Sequence, residues 1–370
     1  MILPADGVRL SELTTLRVGG PALRMSAPTT RDELISAALD IWSGADEWLV
    51  LGGGSNVVVS DDGIDGDVLR VATRGIERTS GSADRPGLAS AAGESWDAVV
   101  EFAIADGLAG VEALSGIPGS AGAAPIQNIG AYGQELSDSL VAVEFLDFAT
   151  GEVARLPASE LRLGYRSSAL KGGRLGIVLG IELELTAHID GLSRPIAYEQ
   201  LARALDVAVG ARVPLTEVRA AVIALRASKG MILDAADPDS VSAGSFFTNP
   251  IVSENFARGL PSDAPRWPTE PEPAPLVLPL GGPIPAPPAS GGYSVKLSAA
   301  WLIERAGISR GFALPGSGAA ISSKHTLSII NRGHATASDV AELARFVQTR
   351  VMSEFGVVLQ PEPVLVGVEL

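Results

Sequence analysis

The chain has 370 residues, more than the roughly 250–300 at which a single hydrophobic core stops growing, so two or three domains are expected. With 46% hydrophobic and 19% charged residues it reads as a well-buried globular protein, and a net charge of −15 argues against nucleic acid or an anionic membrane as the main partner. The lack of Cys excludes disulfides, thiolate nucleophiles, iron–sulfur clusters and cysteine-ligated zinc.

The three histidines, His188, His325 and His334, lack the HExxH spacing, so no metal site is expected. The start, MILPADGVRL, carries Asp6 and no long apolar core and does not read as a signal peptide. No run of ~18 apolar residues suggests a membrane span, and the expected compartment is the cytoplasm.

Along the chain, Thr30 with Glu33 predicts a capping box, followed by helical spacing through Leu34, Ala37, Ala38 and Ile41. Trp48–Leu51 reads as a strand running into Gly52-Gly53-Gly54, with a second strand at Val57–Val59. This is not the dinucleotide fingerprint GxGxxG, because Val57 stands where the third glycine belongs and no helix pattern follows. Short strands are expected from Val68 to Ala92, and a helix from Trp96 to Ala105. Val141–Phe148 and Leu156 predict a hairpin turning at Thr150-Gly151, and another strand runs from Gly176 to Thr186 with Ile181, Leu183 and Leu185 on one face.

Further on, Val213–Ala227 and Leu297–Ala306 have helical spacing. Pro261–Gly292 is rich in Pro, Gly and Ala without periodicity and reads as a surface excursion with no assigned role. Thr336 with Asp339 predicts a second capping box, and the stripe Val340, Leu343, Ala344, Val347, Val351 predicts an amphipathic helix closed by Gly356. The tail Val357–Leu370 reads as strands around Gln360-Pro361-Glu362-Pro363. The whole pattern is α+β.

Two glycine-rich stretches carry the strongest chemical signal: VLGGGSNVVVS, Val50–Ser60, and SGIPGSAGAAPIQNIGAYGQE, Ser115–Glu135. Glycine lets backbone N–H groups approach a ligand closely, and successive N–H groups in turns form anion-binding concavities. Two such loops suggest a diphosphate held from two sides. The second adds Gln127, Asn128 and Tyr132, amides and an aromatic suited to a heterocycle.

In order, GGGSN, GIPGSAGAAPIQNIGAYG, GYRSS (Gly164–Ser168), AGSFFTNP (Ala243–Pro250), KLSAAWLIERAG (Lys296–Gly307) and QPEPV (Gln360–Val364) make the chain resemble the UDP-N-acetylenolpyruvoylglucosamine reductase family over nearly its whole length. The resemblance implies a two-part FAD-binding domain of the vanillyl-alcohol-oxidase type, not a Rossmann domain, plus a C-terminal α+β substrate domain. The implied boundaries are 1–74 with 357–370 for the first FAD subdomain, 75–214 for the second and 215–356 for the substrate domain. The implied activity is NADPH-dependent reduction of an enolpyruvyl UDP-sugar to its lactyl ether through bound FAD, a step of peptidoglycan precursor synthesis in a monomeric enzyme.

The same resemblance sets FAD against Gly52, Gly53, Gly54, Ser55 and Asn56 on one side and Gly119, Ser120, Gln127 and Asn128 on the other. It assigns Arg166 to gripping the substrate carboxylate, Glu362 to a hydrogen bond to the enolate, and Ser245 to proton donation. Tyr165, Tyr198, Lys229, Asn249 and Lys296 resemble substrate-binding residues. Thr248 stands where the family commonly has a basic residue, and Ser242 where an asparagine is usual. Two rival readings stay open from sequence: a flavin oxidase of the same fold acting on another alcohol, and a non-catalytic binder of FAD or a UDP-sugar.

Overall fold

A computed structural model describes residues 2–4, 8–45, 47–187, 190–269 and 294–370. His188 and Asp6 lie outside the described residues, as does residue 270 onward of the Pro-rich stretch up to 293.

The first layer grows from local signals. Thr30 and Glu33 form the predicted capping box, and the helix Arg31–Gly44 turns Leu34 and Ala38 inward. It flanks a sheet ordered Ile2–Pro4, Ala22–Ser26, Ile64–Arg70, Trp48–Leu51, in which the last three strands are parallel. The strand Val57–Val59 leaves the first glycine loop fully buried. Its partner is Val364–Val366, parallel and in register Val364 to Val57.

A second, antiparallel sheet runs Val153–Pro157, Leu140–Asp147, Gly176–Glu184, Gly87–Ala91, Ile76–Thr79. The hairpin across Thr150-Gly151 forms as the sequence predicts, and Ile181, Leu183 and Leu185 are buried. The helix Trp96–Ala105 packs Trp96, Val99, Val100 and Ala103 into the same core. The second glycine stretch leaves this layer and contains a 3-10 turn, Ala121–Ile126.

The C-terminal half adds the helix Leu215–Ala227 and two three-stranded sheets. One is Ser242–Ser245, Ser328–Asn331, Ala319–Ile321; the other is Ile251–Ser253, Ser294–Leu297, Arg266–Thr269. The long helix Ala337–Phe355 carries the Thr336–Asp339 capping box and ends at Gly356 with φ 68°, the left-handed conformation glycine tolerates best. This half is stitched to the first. Asp61 accepts from the N–H groups of Ala337 and Ser338 at 2.7 and 3.0 Å, and Asn331 Nδ2 donates to the carbonyls of Leu16 and Arg17.

Three expectations need correction. The helix expected from Leu297 begins at Ala299: Leu297 ends a strand, and Ser298 caps the helix by accepting from Trp301 N–H. Arg266–Thr269, inside the stretch read as an aperiodic excursion, is a strand paired with Ser294–Leu297. In the tail only Val364–Val366 is a strand, because Pro361 and Pro363 have no N–H to give a ladder.

Candidate active site

The two glycine stretches face each other across one cleft. They meet where a Cβ on Gly53 would stand 2.6 Å from Gly119 Cα, a contact no side chain can relieve. Ser55 Oγ donates to the Pro118 carbonyl at 2.9 Å and pins the pair. Around this junction the backbone N–H groups of Gly53, Gly54, Ser55, Asn56, Gly119 and Ser120 find no acceptor among the described residues. All six residues line the cleft, which holds about 1320 Å³ of space out to its open mouth.

Such a ring of unspent donors is a cradle for an anion. The rest of the wall fits the remainder of FAD: Trp96, Ile117, Ala123, Ala124, Ile126 and Ile129 give apolar surface, and Gln127 gives an amide. Asn56 Nδ2 donates to Gln127 Oε1 at 2.7 Å and so ties one loop to the other. Gly52 also lines the cleft. Asn128 does not. It is 1% exposed, its amide donates to Glu135 and the Gly164 carbonyl, and its Oδ1 accepts from Ser137 N–H. Its side chain shapes the loop and is not available to a cofactor.

Arg166 enters the cleft from a tight turn. Gly164 and Ser167 exchange both backbone hydrogen bonds, and Arg166 sits between them at φ 51°, a conformation costly for any residue but glycine. Its guanidinium donates to the Gly130 carbonyl at 2.9 Å, and its Nε stands 3.0 Å from Glu362 Oε1. That Nε–H has no hydrogen-bond acceptor in line, so the contact with Glu362 is Coulombic proximity and not a directed bond. Burial pushes the Glu362 carboxyl above the ordinary carboxylate range, and the opposing pull of Arg166 and Lys171 does not cancel it.

Ser245 ends the strand Ser242–Ser245 and lines the cleft beside Gly244, whose φ of 76° turns the chain. Directly after it come the buried rings of Phe246 and Phe247, 5.2 Å apart and edge to face, which anchor this end of the strand in the core. Glu362 N–H donates to the Phe246 carbonyl at 2.8 Å, so the motif carrying Ser245 is bonded directly to the one carrying Glu362. Arg166, Ser245 and Glu362, which the sequence places far apart, thus line one cleft with the glycine loops.

The five residues matched to substrate binding form two groups beside that cleft. Lys296 Nζ lies 4.8 Å from the centre of the Tyr165 ring, and Tyr165 also contacts Asn249 and Arg166. Asn249 Oδ1 meanwhile accepts from Ala299 N–H. In the other group Lys229 bonds Gln200 and lies over the Tyr132 ring, which the half-exposed Tyr198 meets edge to face at 5.9 Å. Of the two departures, Ser242 is buried and its Oγ accepts from Gly244 N–H at 3.2 Å, while Thr248 pairs with the Gln360 carbonyl through its own N–H.

Three polar residues at the site escaped sequence reasoning. Lys171 lines the cleft with its Nζ 3.4 Å from the Glu362 carbonyl, and burial lowers its pKa. Arg226, in the last turn of its helix, lines the cleft and donates to the carbonyls of Gly116 and Met231. Burial pushes its pKa down to about 10. Their signals were available: Lys171 stands five residues after Arg166, and Arg226 three before Lys229. His325, whose Nε2 lies 3.5 Å from Ser245 Oγ, gave none.

Residues 22–157 match the family model described as FAD binding domain, and residues 237–366 match that of the UDP-N-acetylenolpyruvoylglucosamine reductase C-terminal domain. The chain is 61% identical to a UDP-N-acetylenolpyruvoylglucosamine reductase of Leifsonia xyli subsp. xyli across 99% of this chain and 100% of the relative. A relative of the same name from Saccharopolyspora erythraea is 47% identical, covering 99% of this chain and 97% of its own. The solved UDP-N-acetylenolpyruvylglucosamine reductase of Thermus caldophilus superposes with a TM-score of 0.62 at 27% identity, covering 99% of this chain and 100% of that one. By sequence and by fold, this chain belongs to the UDP-N-acetylenolpyruvoylglucosamine reductase family.

Proposed function

We propose that the protein reduces UDP-N-acetylglucosamine enolpyruvate to UDP-N-acetylmuramate for peptidoglycan precursor synthesis, with Arg166, Glu362 and Ser245 as its catalytic residues. The observation that carries these roles is that all three line the cleft whose loops offer six free N–H donors. When bound there, FAD supplies the hydride it has taken from NADPH.

Hydride arriving at the terminal vinyl carbon leaves negative charge on the adjacent carbon and, by delocalisation, on the carboxylate. Arg166 grips that carboxylate with the face its protein contacts leave free and stabilises the charge as it grows. Glu362, whose pKa burial raises, donates a hydrogen bond to the enolate oxygen in its protonated form. Ser245 delivers the proton to carbon: a hydroxyl is a weak acid, but the carbanion is a strong base and the hydroxyl is held in place.

The remaining matched residues receive the rest of the substrate. Tyr165, Asn249 and Lys296 lie on the Arg166 side, and Tyr198 with Lys229 on the other. Two Lys near two exposed or half-buried Tyr rings suit a diphosphate joined to a flat base. In the division into 1–74 with 357–370, 75–214 and 215–356, the parts share cores: Leu34, Ala38, Leu69 and Val71 pack in one cluster with the second part, and Leu16, Val18 and Val58 in one with the third. The reading takes the protein as a monomer acting in the cytoplasm, where NADPH is at hand. No described helix is long and apolar enough to cross a membrane.

The purified protein is therefore expected to be yellow, to bleach with NADPH in stopped flow and to recover colour with the enolpyruvyl sugar. Ser245→Ala is expected to bleach near the parent rate but recover several orders of magnitude more slowly. Normal recovery in this variant would remove Ser245 from the role, and a colourless protein that takes up no FAD would remove the function.

A further inference from the structure

His325 is a partly buried imidazole to which the reaction assigns no task, and it stands beside the hydroxyl on which the last proton transfer depends. Its placement is built by two neighbouring strands. Ser245 pairs with Ser328 across the antiparallel sheet, and Phe246 N–H donates to the Leu327 carbonyl at 2.7 Å. The turn leading into Ser328 is closed by Ser328 N–H on the His325 carbonyl and by Ser322 Oγ, which accepts from the N–H groups of Lys324 and His325. The result sets His325 Nε2 3.5 Å from Ser245 Oγ, at the long limit of a hydrogen bond and typical of a contact that tightens when substrate fills a site.

We propose that His325 is a positioning residue for Ser245: its neutral imidazole donates Nε2–H to Ser245 Oγ, aiming the serine O–H at the substrate carbon and stabilising the alkoxide that the transfer leaves. The inference rests on the reading of Ser245 as proton donor. In the step itself the Oγ–H bond breaks with its electron pair remaining on Oγ, a C–H bond forms at the carbanion, and water afterwards returns a proton to Oγ. His325 keeps its own proton throughout. A hydroxyl is a poor acid chiefly because alkoxide is so unstable, and a donor already aimed at the oxygen lowers that cost without having to reorganise.

The surroundings enforce the neutral form. Burial is the largest influence, and Lys229, Arg310 and Arg226 all face the ring and oppose a further positive charge, with Glu304 alone pulling the other way; together they push its pKa down to about 4. At neutral pH the imidazole therefore has one N–H to give and one lone pair. Of its two nitrogens, Nε2 is the one directed at Ser245.

The test compares His325→Phe, which keeps a ring and loses the donor, with His325→Gln, which keeps a neutral N–H at a similar reach, in the flavin-loaded enzyme. His325→Phe is expected to slow recovery of colour with the enolpyruvyl sugar by about 10²-fold, the order found when one donor to a developing oxyanion is removed. It should slow bleaching by NADPH far less and raise the solvent isotope effect on recovery. His325→Gln should return recovery to within several-fold of the parent. Should the Phe variant fail to hold flavin, His325→Leu takes its place. Nitrogen-15 NMR of the labelled protein, which needs no turnover, should show His325 as the Nε2–H tautomer.

Equal rates in the Phe and Gln variants, whether both slow or both normal, would overturn the proposal, as would a Nδ1–H tautomer. Ser245→Ala run alongside separates the two levels. If it recovers normally, the proton-donor reading itself fails. If it is slow while His325→Phe behaves as the parent, only the role of His325 falls.

Discussion

Arg166 Nε approaches Glu362 Oε1 to 3.0 Å without aiming its N–H at that oxygen. The two side chains, 21% and 12% exposed, lie close together but leave hydrogen-bonding capacity unspent. A directed salt bridge would have satisfied both groups and left little for a ligand. Both residues line the cleft, where burial favours the protonated form of Glu362.

Arg166→Lys tests that geometry. Lysine keeps the charge but loses the planar fork, including the hydrogen bond to the Gly130 carbonyl. Turnover should fall by about 10²–10³-fold, the order for a lost charge-stabilising donor, while FAD stays bound because the backbone donors that hold it are untouched. Steady-state rates beside the visible spectrum of the same sample check both halves. Loss of flavin together with activity would mean Arg166 holds the cofactor pocket and not the substrate.

Glu362 should confer a pH dependence. Its folded-state pKa is raised above the ordinary 4.5, so the protonated, donating form persists into a pH range where a free glutamate is ionised. Recovery of colour with the enolpyruvyl sugar is expected to decline as pH rises through that shifted value, and Glu362→Gln, which cannot ionise, should remove the decline while slowing the reaction at low pH. The stability effect has the same sign: a raised pKa stabilises the fold fully below the unfolded value and loses that contribution as pH climbs through the folded one. Melting temperatures of parent and variant should therefore diverge in favour of the variant as pH rises.

Gly53→Ala isolates the meeting of the two glycine loops. The new Cβ would press on the Gly119 backbone at 2.6 Å, and only separation of the loops relieves it. The expected outcome is protein that folds but carries a markedly smaller share of FAD, read as the ratio of visible to ultraviolet absorbance. Gly44→Ala is the control. That glycine ends the helix Arg31–Gly44 with nothing near its missing Cβ, so flavin content should stay constant and stability rise by about 0.4–1 kcal/mol.

What the sequence displays and what it hides divide along the range of the interaction. The capping boxes at Thr30 and Thr336, the strand ending in Gly52-Gly53-Gly54 and the turn at Thr150-Gly151 are local, each decided by residues within one helical turn or one hairpin. The motifs around Arg166, Ser245 and Glu362 carried the resemblance from which their proposed roles come, and the fold brings all three to one cleft. Leu297 misled because four residues of alternating apolar character before a helix fit either period, and pairing with Ile251–Ser253 on one side and Arg266–Thr269 on the other makes them a strand. Asn128 misled because an amide beside a glycine loop serves a ligand or the loop equally well, and here the loop at φ 47° claims it. His325 was invisible because its approach to Ser245 depends on the register of two strands separated by most of the C-terminal half.

That partly buried imidazole also leaves a thermodynamic mark that requires no catalysis. With a folded pKa of about 4 against 6.5 for the free side chain, His325 binds its proton more weakly in the folded protein than in the unfolded chain. Between these values the unfolded state holds the extra proton, so stability rises with pH across the window and is lost as pH falls through it. The shift corresponds to a contribution of up to about 3 kcal/mol, subject to the other carboxylates that titrate in the same range. His325→Gln carries no such proton. Its denaturant-unfolding stability should track the parent above pH 7 by a constant offset and fall less steeply than the parent from 6.5 down to 4. Parallel curves across that interval would show that the ring is hydrated and titrates freely, and a freely titrating ring would not be held as the neutral donor at Ser245.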